Sequence, residues 1–187
     1  MMLGNLGILI FKIKEKNKFK FCESIFSYWR NHFYGHKFIC IEEDVCIGNF
    51  SWITAYKLNV IDPLLYISKG VSIGRFSHIY ITGKLVIGKS ALIAEKVYIS
   101  DNLHGFEDIK KPIKDQSLRQ LNEVSIGDGA WIGENVCIIG ASVGKNSVIG
   151  ANSVVTHDIP DYCVAVGAPA RVVKRYDFKA NRWIRVD

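Results

Sequence analysis

Aliphatic residues recur along most of this chain at a spacing of six. Ile41, Ile47 and Ile53 open the series, and after a step of eight it continues through Ile61, Ile67, Ile73 and Ile79. A second step of eight leads to Ile87, Ile93 and Ile99; after a long break come Ile126, Ile132 and Ile138, then Ile149 and Val155. Two positions before these residues the side chain is small or β-branched, as at Val45, Ser51, Val71, Ser77, Ala91, Ser147 and Ser153. Glycine often follows directly, at 48, 74, 88, 127, 133 and 150. A period of six matches neither the 3.6 of a helix nor a heptad, and over this length it is an internal repeat. It predicts short strands joined by tight corners, the aliphatic side chain and the small one pointing inward and glycine easing the turn. Stacked coils of this kind build a prism that grows by about 4.8 Å per coil.

The one long break runs from 101 to 123 and contains His104 in "ISDNLHGFEDIKKPIKDQ". A long insertion in a compact repeat is usually functional or disordered. Leu103, Phe106, Ile109, Ile113, Leu118 and Pro112 predict an ordered loop. Neutral imidazole accepts a proton from a hydroxyl near neutral pH, so His104 is a candidate general base. Asp101, Glu107 and Asp108 are the nearby groups that could orient its ring, with Asp101 favoured.

Composition adds limits. Of 187 residues, 49% are hydrophobic and 22% charged, which suits one globular domain. Charge is uneven. Residues 1–38 carry seven Lys/Arg and two Asp/Glu (+5), residues 39–170 eleven and fourteen (−3), and residues 171–187 six and two (+4). A negative body argues against a nucleic-acid partner. The apolar start "MMLGNLGILIF" is too short to span a bilayer and lacks a preceding basic region, so it predicts a strand or short helix. The adjoining "KIKEKNKFK" and "FSYWRNHFY" make an N-terminal arm that could touch a membrane peripherally. Five cysteines, odd in number and without a CxxC, argue against a disulfide framework and a zinc knuckle and predict buried small hydrophobes in a reducing cytoplasm.

The stretch "VSIGDGAWIGENVCIIGASVGKNSVIGANSVVTHDIPDYCVAVGAPARVVKR" resembles the hexapeptide-repeat acyltransferases, in particular the sugar and polysaccharide O-acetyltransferase branch with the galactoside and maltose enzymes. The resemblance implies an all-β fold, a left-handed parallel β-helix with three hexads per coil over residues 39–170, the long loop 101–123 protruding from it. An N-terminal arm (1–38) and a short basic C-terminal segment (171–187) would flank it. With three hexads per coil, the irregular steps Ile79–Ile87, Ile99–Ile126 and Ile138–Ile149 begin at one corner of successive coils. They then outline a cleft between Tyr80–Gly83, the His104 loop and Ile139–Ala141.

The resemblance also implies an activity: transfer of an acetyl group from acetyl-CoA to a sugar or glycan hydroxyl in capsule, O-antigen or other surface-polysaccharide synthesis. "ISDNLHG" is similar to the "SDxxHG" form of polysaccharide O-acetyltransferases and places His104 on their catalytic histidine. Ser77 or His78 falls where the galactoside branch contacts the acceptor through an asparagine, which this chain lacks. Trp131 falls on an aromatic beside coenzyme and acceptor. Glu134 falls on a backbone N–H near the thioester carbonyl, Ala151 and Thr156 on contacts along the pantetheine arm, and Arg171 and Lys174 on cations beside the coenzyme. No metal is expected, and the outward row of Trp52, Leu92, Tyr98, Trp131, Val148 and Val154 suits a homotrimer with sites between subunits. The alternatives are an aminosugar N-acetyltransferase and a non-catalytic carbohydrate-binding or scaffold module.

Overall fold

The structure, a computed structural model, describes residues 18–24 and 30–186. The apolar start and most of the lysine-rich arm lie outside them. Two strands come first, β1 (Phe21–Cys22) and β2 (His32–Tyr34). The coils follow: β3 (Ile39–Ile41), β4 (Cys46–Ile47) and β5 (Trp52–Ala55); β6 (Leu64–Ile67), β7 (Ser72–Ile73) and β8 (His78–Ile81); β9 (Lys84–Ile87), β10 (Leu92–Ile93) and β11 (Tyr98–Ser100). A hairpin of β12 (Asn102–His104) and β13 (Leu118–Gln120) interrupts them. The coils resume with β14 (Val124–Ile126), β15 (Trp131–Ile132) and β16 (Cys137–Ile139), then β17 (Val148–Ile149) and β18 (Val154–Val155). The chain closes with β19 (Cys163–Val166), β20 (Arg171–Asp177) and β21 (Arg182–Arg185).

These strands, the β12–β13 hairpin apart, form three faces of a left-handed prism, with parallel pairing up to β19. The first face stacks β1, β3, β6, β9 and β14 and continues through single bridges at Val143 and Ile159. The second runs from β4 through β7, β10, β15, β17 and β19 to β20 and β21. The third stacks β2, β5, β8, β11, β16 and β18. The described part of 1–38 is thus continuous with the prism, adding β1 to the first face and β2 to the third.

The repeating aliphatics fill the interior: Ile41, Ile53, Ile67, Ile79, Ile87, Ile99, Ile132, Ile138, Ile149 and Val155 are fully buried. Each such side chain contributes about 1.5–3 kcal/mol on burial. The small residues before them sit inside the corners, where serine caps corner carbonyls. Ser51 Oγ donates to the Gly48 and Gly74 carbonyls (3.0 and 3.2 Å). The glycines that directly follow the aliphatics serve close packing and not the turn. A Cβ on Gly48 would lie 2.5 Å from the Arg75 nitrogen, and one on Gly127 2.4 Å from the Lys145 nitrogen. The positive φ at many corners falls instead on non-glycine residues such as Asp44, Lys96, Asn135 and Asn152.

One prediction of the interior is corrected. Ile61 is 82% exposed, on a loop that bulges between β5 and β6, and the inward aliphatic of the first face is Ile67. Steps from the first face to the second and from the second to the third are therefore always six: 41–47–53, 67–73–79, 87–93–99, 126–132–138 and 143–149–155. Steps from the third face back to the first are irregular every time: fourteen from Ile53, eight from Ile79, twenty-seven from Ile99, five from Ile138 and four from Val155. All variation in coil length is confined to one corner.

Candidate functional site

The largest of these departures carries His104. β12 leaves the third face directly after Ser100 and pairs antiparallel with β13, placing Asn102 opposite Gln120 and His104 opposite Leu118. His104 is exposed, two residues beyond the hairpin root. The hairpin is tied beyond it by the Gly105 N–H donating to the Ser117 carbonyl (2.9 Å). Arg119 Nη1 donates to Glu107 Oε1 (2.6 Å), and Gln116 closes the outer loop onto the Asp108 and Lys111 carbonyls (2.9 and 3.1 Å).

Asp101 takes a different position from the orienting role expected of it. Its carboxylate is fully buried. Oδ1 accepts from the Thr82 N–H (2.8 Å), the Thr82 hydroxyl (3.2 Å) and Asn102 Nδ2 (3.0 Å), while Oδ2 accepts from the Gly83 N–H (2.7 Å). Its own carbonyl accepts from Leu121 N–H and Gln120 Nε2 (2.7 and 3.1 Å). Asp101 therefore locks the hairpin root to the preceding coil. Glu107 is engaged with Arg119 and the Phe106 N–H, which hold its carboxyl below the usual range. Asp108 pairs with Lys111 (3.5 Å). Among the described residues none of the three carboxylates hydrogen-bonds His104.

A cleft of about 470 Å³ opens at the hairpin root, lined by Ile61, Asp62, Thr82, Gly83, Gln120 and Leu121 among others. It joins Thr82 and Gly83 to the long loop, as expected. Its far wall is the 59–64 segment, where Ile139–Ala141 was expected.

Ser77 and His78 separate. Ser77 is buried inside the prism and donates to the Gly74 and Ala94 carbonyls (3.0 and 3.4 Å), so it offers nothing to an acceptor. His78 points outward into an aromatic column, its ring centroid 5.3 Å from both Trp52 and Tyr98 and 6.2 Å from Tyr80. Burial holds its pKa below the ordinary histidine value, and among the described residues its buried Nε2 has no hydrogen-bond partner. Beside it runs a column of Tyr34, Tyr56 and Tyr80, with centroids 6.1 and 6.5 Å apart. The hexad count marks these residues as outward but says nothing of their stacking.

The positions expected to bind the coenzyme fall in three places. Glu134 and Ala151 meet at the corner between the second and third faces, in a groove of about 390 Å³ shared with Lys96, Asn135 and Asn152. Among the described residues neither the Glu134 nor the Ala151 backbone N–H has an acceptor. Lys96 Nζ pairs with Glu134 Oε1 (3.0 Å) at the rim. Thr156 lies past the other end of β18, its hydroxyl 3.0 Å from His157 Nδ1. Arg171 and Lys174 stand exposed on β20. Trp131, 50% exposed, lies on the second face between Leu92 and Val148, away from the corner that carries His104. Among the described residues no group of His, Cys, Asp and Glu is placed to hold a metal ion.

Residues 123–157 match the hexapeptide repeat of succinyl-transferase. The chain is 34% identical over 127 residues to WbbJ of Escherichia coli K12, assigned as a lipopolysaccharide biosynthesis O-acetyl transferase, covering 64% of this chain and 65% of that protein. It is 34% identical over 137 residues to the galactoside O-acetyltransferase of the same organism, covering 68% and 62%. The chain thus spans somewhat under two thirds of these relatives. Among solved structures, AntD, an N-acyltransferase from Bacillus cereus seen with dTDP and coenzyme A, superposes with a TM-score of 0.70 at 18% identity, covering 89% of this chain and 88% of that one. That likeness concerns the fold.

Proposed function

We propose that this chain, which carries the hexapeptide repeat and the left-handed β-helix of that transferase family, moves an acetyl group from acetyl-CoA to a hydroxyl of a sugar or glycan. The relatives assigned to lipopolysaccharide biosynthesis and galactoside acetylation support a surface polysaccharide as the acceptor's destination. The observation that carries the reading is His104, an exposed imidazole held on a braced hairpin above an otherwise regular prism.

His104 removes the hydroxyl proton as the oxygen attacks the thioester carbonyl. The tetrahedral intermediate collapses to the ester, and coenzyme A leaves as a thiol once the imidazolium returns the proton. The free Glu134 N–H, or that of Ala151 in the same groove, supplies a donor for the oxyanion. Arg171 and Lys174 offer exposed positive charge for the coenzyme phosphates. His104 and this groove lie at different corners of one prism, separated by the third face, so a complete site takes His104 from one copy and the groove from another. A homotrimer meets that need and covers part of the outward apolar row. The odd number of cysteines and the lack of a CxxC suit a reducing, cytoplasmic setting.

The test is thiol release from acetyl-CoA across sugars, aminosugars, nucleotide sugars and lipid-linked glycans. His104→Ala should lower turnover on a confirmed acceptor by about 10²–10⁴-fold and leave coenzyme A binding nearly unchanged in calorimetry. Near-full turnover in the variant would remove His104 from the mechanism. Transfer to aminosugars alone would make the acceptor an amine.

A further inference from the structure

The last two strands leave the prism. β20 and β21 form an antiparallel hairpin that continues the second face beyond the final coil, and β21 is its outer edge, exposed at all four residues. Val172 still packs against the core, but the chain past it extends outward. This segment carries the +4 of residues 171–187 against the −3 of residues 39–170. Asp177, the acid within the hairpin, is spent on the turn: its Oδ1 accepts from the Lys179 and Ala180 N–H groups (2.8 and 3.1 Å). Among the described residues none of Lys174, Arg175, Lys179, Arg182 and Arg185 makes an ion pair.

The cations are accompanied by apolar surface. Lys174 stands opposite Arg185, and next to them on the same side of the ladder Tyr176 stands opposite Trp183, ring centroids 5.5 Å apart. Directly opposed like charges are unfavourable in water. Phe178, at the turn, rests edge-on against Tyr162 and Tyr176 (ring centroids 5.0 and 5.1 Å) and still leaves 66% of its surface exposed. Trp183, Ile184 and Val186 are exposed as well. An ordinary solvated strand places polar residues where these lie. Aromatic residues with a polar rim, interleaved with unpaired cations, suit the boundary between lipid headgroups and acyl chains.

We propose that the β20–β21 hairpin docks this protein on an anionic lipid bilayer, with Lys179, Arg182 and Arg185 among the headgroups and Phe178 and Trp183 at the acyl boundary. The negative bilayer surface complements a hairpin whose charge is opposite to that of the body. A free phosphate, or the phosphates of a coenzyme, would be served by cations converging on one point. Lys179, Arg182 and Arg185, apart from the Arg171 and Lys174 assigned to the coenzyme, are instead spread along the turn and both sides of β21, and Phe178, Ile184 and Val186 gain nothing from a phosphate alone. The contact is independent of acyl transfer.

The experiment is co-sedimentation of the full chain with vesicles of phosphatidylcholine, with and without phosphatidylglycerol. The wild type should bind the anionic vesicles, weaken with added salt and ignore the neutral ones. The double variant Arg182→Gln/Arg185→Gln should lose about tenfold or more in partitioning. Phe178→Ala/Trp183→Ala should lose several-fold with its charge intact. The arginine variant should keep the wild-type melting temperature, the aromatic variant should melt slightly lower but stay folded at the assay temperature, and both should keep coenzyme A affinity. The idea fails if the wild type shows no preference for anionic vesicles, or if the arginine variant binds as well as wild type, which would move the contact to the N-terminal lysines. It fails too if the aromatic variant binds unchanged, or if coenzyme A displaces the vesicles competitively, since either would make the hairpin a plain phosphate binder.

Discussion

His78 is set among rings, beside Trp52, Tyr80 and Tyr98, with His32 beyond Trp52. Burial disfavours its charged form in the folded chain, so its pKa there is below the 6.5 of the unfolded one. The unfolded chain therefore binds the proton first as pH falls. The stability tied to neutral His78 is complete above about pH 6.5 and fades as pH drops through the lower folded value. His78→Phe keeps the stacking and removes the titration. Its melting temperature should fall less than that of the wild type between about pH 7.5 and about pH 5. Equal falls in the two proteins would show that His78 is solvated in both states. Ser77, one residue earlier, teaches how far a repeat can be read. Its place two before Ile79 marks it as inward, and its buried hydroxyl on corner carbonyls follows from that count. The alignment that offered it to an acceptor overlooked the parity of the strand.

The hairpin that bears His104 depends on its root. Asp101 satisfies the buried Thr82 N–H and the half-buried Gly83 N–H of the preceding coil, and Asp101→Ala would leave both without an acceptor. Each lost bond to a charged group costs about 1.5–3 kcal/mol, so the variant should be markedly less stable in denaturant titration, whereas His104→Ala should match wild type. Asp101→Asn retains the volume but replaces one acceptor oxygen with a donor facing a donor, and should fall between them. If Asp101→Ala kept full stability yet lost activity, the carboxylate would be acting on His104 after all. The loop's existence and its histidine were legible in the broken period. Its clamp was not, because a period records which residues face inward and not which coil a polar side chain reaches. Ile61 misled for a related reason: an isoleucine at a step of eight fits a hexad series, and only the neighbouring strand Leu64–Ile67 shows that the chain bulges there. The strand "RVVKRYD" is not legible in the sequence because its apolar and charged residues come in adjacent pairs and do not alternate.

At the level of the whole molecule, the fold was legible because one rule governs most of the chain, and the division of His104 and the Glu134–Ala151 groove between two corners of one prism was not, since a linear count gives no distances between corners. That division makes a mixing test possible. His104→Ala and Ala151→Trp, which fills the groove, should each be inactive alone. Co-expressed, they should recover activity, because some interfaces then join an intact histidine from one copy to an intact groove from another. No recovery, or light scattering that reports a monomer, would end the shared-site reading. The confinement of length changes to one corner has a further consequence. Two of the three edges keep the ladders in register at every coil, so the third can gain or lose residues without disturbing them. The surface along that edge can therefore diversify by insertion and deletion, at little cost to foldability.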